Sequence, residues 1–92
     1  MQPIHEERII AHVQLEPKHN VTHQVTHYRN GIQLGKPSVL KIIQFPEDPG
    51  FYLIYLDKQG SEMTDTYHDT LPDALEQASF EFQVEKQDWI FL

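Results

Sequence analysis

Residues 39–84 constrain the fold more than any other part of this chain. VLKIIQF, FYLIYLD and EMTDTY, separated by turn-forming stretches, run into TLPDALEQASFEFQV. The first two segments are apolar at successive positions, as expected of strands covered on both faces. Between them lies Pro46-Glu47-Asp48-Pro49-Gly50, a rigid turn whose prolines cannot donate ladder hydrogen bonds. Gly60 closes the next turn. The third segment, residues 62–67, is more polar and reads as an edge strand, with Glu62 and Asp65 discouraging further pairing.

Thr70 has the chemistry of a helix N-cap, Pro72 sits where a missing N–H costs nothing, and Asp73 puts a negative charge in the first turn. Leu71, Ala74, Leu75, Ala78 and Phe82 recur at helical spacing and predict the buried stripe, with Glu76, Gln77 and Glu81 facing water and Phe80 at its margin. Upstream, residues 8–16 alternate in polarity and predict a half-buried strand. The β-branched run VTHQVTHYR at 21–29 predicts a second strand paired with it. Asn30-Gly31 is a hairpin turn signal, followed by a short return strand from Ile32. The expected architecture is α+β: one domain over residues 1–92, an antiparallel sheet of about five strands, and one main helix on one face. Trp89-Ile90-Phe91-Leu92 is an apolar tail that must dock against the sheet edge or the helix end.

Charge is distributed unevenly. Residues 1–46 carry five bases against three acids, a net of +2; residues 47–92 carry two bases against eleven acids, a net of −9. The acidic half disfavours nucleic acid and anionic membrane and favours a basic partner. No apolar run approaches the roughly 20 residues that span a bilayer. MQPIHEERIIAH lacks the basic start and apolar core of a secretory signal, so a cytoplasmic location is the default expectation. With no cysteine, disulfides, thiolate metal sites and thiol nucleophiles are excluded.

His23 and His27 stand four apart, a metal-gripping interval on a helix. In an extended segment the same interval covers roughly 13 Å, too far for one ion. A metal would need cross-strand ligands such as His12 opposite His23, and no metal or cofactor is expected. Asp65, His68 and Asp69 lie close in sequence and offer an acid–base group, with a hydrolase or small-ligand site around His68 as the minor alternative. No nucleophile elbow or phosphate-binding loop accompanies them, so a non-enzymatic role is expected. The candidate partner-binding surface is Glu62, Asp65, Tyr67, His68, Asp69, Asp73, Glu76 and Trp89, the acids steering and the exposed aromatics anchoring.

The segment from Pro49 to Phe82 resembles a group of small bacterial proteins ending in PGFYL…D..G…TDT.H.T….A..QA.FEF, a group whose activity is unassigned. FPEDPGF followed by DTLPDALEQA is also similar to HicB-type antitoxins, which implies a β-β-β-α unit that binds a basic toxin ribonuclease; here about 37 residues precede that unit. The functional expectation is an acidic binding protein of immunity or antitoxin type that neutralises a basic protein. The alternative is a homodimeric assembly domain.

Overall fold

The computed structural model describes residues 6–92. The strands are β1 (Arg8–Gln14), β2 (Tyr28–Arg29), β3 (Ile32–Gln33), β4 (Val39–Gln44), β5 (Phe51–Leu56), β6 (Glu62–His68) and β7 (Ile90–Phe91), and the helix α1 is Leu71–Phe82. Five strands form one antiparallel sheet in the order β6-β5-β4-β1-β7, with β2 and β3 as a separate hairpin. α1 lies against β5 and β6. The fold is therefore α+β, with the edge position of β6 as its polar sequence requires.

Local chemistry explains most of the elements. Thr70 caps α1 by accepting the Asp73 N–H at 3.2 Å. Asn30 and Gly31 adopt φ of 54° and 78°, the paired positive values of a two-residue hairpin turn. The core joins Ala11, Val13, Leu40, Ile42, Leu53 and Tyr55 of the sheet to Ala74, Ala78 and Phe82 of α1. The two alanines are fully buried and let the helix approach the sheet closely. Each large aliphatic side chain so buried contributes roughly 1.5–3 kcal/mol.

The segment at 21–29 departs from the expected second strand. β1 pairs with β4 instead, and residues 15–27 leave the sheet as a strap across the C-terminal end of α1. The reason lies in the hydrogen-bond demand of that end, whose last carbonyls have no intrahelical donors. Thr22 supplies two: its N–H reaches Glu81 O at 2.9 Å and its Oγ1 reaches Phe80 O at 2.6 Å. His23 turns the strap with a φ of 64°. Only Tyr28 and Arg29 of the run enter a strand.

The strap is fastened a second time at His19, which is 1% exposed. Its Nδ1 accepts the Glu16 N–H at 2.9 Å, so the ring's other nitrogen is the donor, and Nε2 donates to Asp88 Oδ2 at 3.0 Å. Asp88 also accepts from Lys18 Nζ at 3.0 Å and from the Glu85 N–H at 2.9 Å. These donors, the Glu85 N–H foremost, hold its carboxyl well below the usual carboxylate range.

The tail docks as β7, pairing with Ala11 and His12 of β1. Trp89 is 5% exposed and belongs to the core, which corrects its assignment as an exposed anchor. An indole preceding a strand that pairs at the sheet edge is drawn under the sheet, where it and Val84 complete the apolar cluster.

Because the Asp88 carboxyl is depressed in the folded protein, its stabilisation is complete above the unfolded carboxylate value of about 3.9 and is lost as the pH falls below it. Asp88→Asn should lower the melting temperature at pH 7 and flatten the loss of stability between about pH 4 and pH 2. An acid limb as steep as that of the unsubstituted protein would contradict the role given to Asp88.

Candidate functional site

The strand period of two divides the expected acidic ridge between two faces. Tyr67, Asp65 and Glu62 stand opposite Tyr52, Ile54 and Leu56. His68 and Thr66 stand opposite Phe51 and Leu53, on the side of the sheet that carries α1. Asp65 and His68 therefore project from opposite faces, and the structure does not join them as an acid–base pair. His68 Nε2 lies 2.7 Å from Thr66 Oγ1 instead. Burial keeps the His68 ring below its ordinary imidazole value, against the pull of Asp73, Glu81 and Asp69.

On the helix side the candidates do converge. His68 and Asp69 at the end of β6 face Asp73, Glu76 and Phe80 of α1 across an open groove of about 480 Å³. Among the described residues Asp69, Asp73 and Glu76 have no ion-pair partner; the ion pairs there are Lys18–Asp88, His19–Asp88, His27–Glu81 and Lys41–Glu7. Phe80, expected at the margin of the buried stripe, is 49% exposed and forms the rim of this groove.

On the other face, Tyr67 is 46% exposed but its hydroxyl is committed. It donates to Asp48 Oδ1 at 2.7 Å, and its ring meets Tyr52 edge-on at 4.9 Å between centroids. The Asp48 bond pushes the Tyr67 phenol up to about 12 and draws the Asp48 carboxyl below its ordinary value. The same carboxylate accepts the Gly50 N–H at 3.0 Å. Gly50 lies so close beneath the Tyr67 ring that a Cβ there would overlap it, so the Pro-Gly turn is shaped to seat this tyrosine. Beside it, Asp65 raises the Glu62 carboxyl through a hydrogen bond and through its like charge.

The feature that sequence reasoning missed is Glu81. It was expected to face water; it is 3% exposed. Its Oε1 accepts from His27 Nε2 at 2.9 Å, and its Oε2 accepts from Gln77 Nε2 at 2.7 Å and from the Tyr55 hydroxyl. Burial and the neighbouring carboxylate push the Tyr55 phenol far up, which keeps it a neutral donor. The His27 and Tyr55 rings also touch, with centroids 4.9 Å apart. Three donors from three parts of the chain satisfy one buried carboxylate, a geometry that fastens the strap, α1 and β5 beneath the groove.

Among the described residues no three His, Asp or Glu converge as a metal site. His12 lies in β1 and His23 in the strap, so the cross-strand pair that a metal would need is not formed. No helix of the described residues is long and apolar enough to cross a membrane.

Tyr55→Phe removes one hydrogen bond to the buried carboxylate with little change of shape. The expected cost is about 1.5–3 kcal/mol in denaturant unfolding, with the fold retained. A loss below about 0.5 kcal/mol would show that Glu81 does not need this donor. Comparison with protein-family models, curated proteins and solved structures returns no match for this chain.

Proposed function

We propose that this protein binds and neutralises a basic protein partner, in the manner of an immunity protein or an antitoxin, through the groove between β6 and α1. The observation that carries the reading is the set of carboxylates of Asp69, Asp73 and Glu76, without an ion-pair partner among the described residues and gathered along one groove beside the exposed ring of Phe80. An interface needs aromatic surface for contact area and charge for orientation and rate, and this groove supplies both. The net charge of −9 over residues 47–92 adds long-range steering towards a cationic surface. The resemblance of the β-β-β-α unit to HicB-type antitoxins points the same way.

A second reading rests on the opposite edge of the sheet. Ile90, Phe91 and Leu92 are exposed there. The Leu92 N–H bonds Ile10 O at 3.0 Å, so the main chain of Phe91 points away from β1. That uncharged edge suits a second copy of the chain, and sedimentation of the purified protein distinguishes a homodimer from a monomer awaiting a heteropartner.

The leading reading is tested by capture from a lysate of the source organism at about 20 mM salt, where screening is weak. The unsubstituted protein should enrich a basic protein, and Asp69→Asn/Asp73→Asn/Glu76→Gln should recover it about tenfold less well, since three surface charge contacts together amount to about 1–2 kcal/mol. Equal recovery by the triple variant would remove the groove from the reading, and capture of no basic protein would remove the reading itself.

A further inference from the structure

The groove borders a second feature with a chemistry of its own, the outer edge of β6. This strand has seven residues and is paired on one side, by β5. Among the described residues no strand covers its other side. Its beginning is already occupied: Arg29 Nη1 donates to Glu62 O at 3.0 Å and to Met63 O at 3.2 Å. The chain's own arginine thus satisfies edge carbonyls at one end, and residues 64–68 remain as the open part. Every second residue of such an edge turns its N–H and C=O outward.

We propose that this open edge receives an extended, Arg- or Lys-bearing segment of the partner as a sixth strand. The inference rests on the basic-partner reading and gives it a mode of attachment. A strand added beside β6 sends alternate side chains to opposite faces of the sheet. On one face they enter the groove of Asp69, Asp73 and Glu76; on the other they meet Asp65 and, beyond it, Glu62. Acids flank both faces of the edge, but three line the groove against Asp65 and the more distant Glu62 on the other face, so a segment with basic residues at one parity is held best in the register that turns them into the groove. The same arrangement argues against a second copy of this chain as the occupant. Antiparallel pairing of two open stretches 64–68 makes their Asp65 carboxylates diagonal neighbours on one face, and like charges across strands are destabilising. A cation on that face would offset the like charge that Asp65 places beside Glu62, which Arg29 and Lys41 offset only in part.

The test uses fluorescence anisotropy with labelled octapeptides alternating Arg and Val, at about 20 mM salt. Three forms are compared: the parent, and two peptides N-methylated on one or the other alternate set of amides. Strand addition predicts that the parent binds and that one methylated register loses at least tenfold while the other keeps its affinity. Asp65→Asn/Asp73→Asn should weaken the parent about tenfold, with circular dichroism unchanged, and Glu47→Gln should leave it unaltered. If both methylated peptides bind as tightly as the parent but the double variant does not, strand addition is wrong and the acidic groove stands. If the double variant binds the parent undiminished, both readings fall. Absence of binding by the parent overturns strand addition, while capture of a basic protein from lysate decides the broader reading separately.

Discussion

The buried carboxylate of Glu81 is the constraint from which the rest of this structure follows. An ionised carboxyl withdrawn from water costs several kcal/mol unless donors replace its hydration. Here the donors come from His27 in the strap, Tyr55 in β5 and Gln77 in the preceding turn of α1. None of these segments can move independently without leaving the charge unpaired. Apolar burial supplies the bulk of the driving force through Leu40, Leu53, Tyr55 and Phe82, but apolar contacts tolerate sliding. The directional bonds to Glu81 set how α1 lies over β5 and β6. The width of the groove between helix and edge strand follows from that.

Most of the sheet and the helix were legible because their signals are local. The Thr70 cap, the Asn30-Gly31 turn and the apolar strands β4 and β5 each depend on neighbours in sequence. The strap was not, because its conformation depends on a distant need. VTHQVTH has the composition of a strand, yet the donors of Thr22 are spent on carbonyls of Phe80 and Glu81, which no local pattern reveals. Glu81 itself was misjudged by equating charge with exposure. It stands three residues after Ala78, which in turn follows Ala74 by four, so the helical period already put a carboxylate on the small-residue stripe. Trp89 was misjudged because the tail's docking decides which way its indole turns.

The candidate site was half legible for a similar reason. The residues were identified, and the groove does unite His68, Asp69, Asp73 and Glu76. The single acidic ridge is in fact two acid sets on opposite faces of β6, a consequence of the strand period that the spacing of residues 65 and 68 contains. The division gives the surface its meaning. Acids confined to one face would make a patch; acids on both faces of an edge strand discourage pairing with a second copy of that edge. The two edges of the sheet are thus chemically opposite, β6 charged and β7 apolar.

The central claim is that Glu81 fastens strap, helix and sheet into one unit. Residue-resolved amide hydrogen exchange on His27→Ala tests it most directly, because that change removes one donor and leaves the apolar core in place. The account predicts that the amides of Thr22 and Gln83, bonded to Glu81 O and Ser79 O, exchange at least about tenfold faster while those of Leu53 and Tyr55 keep their protection. Unchanged exchange at Thr22 and Gln83 would contradict it.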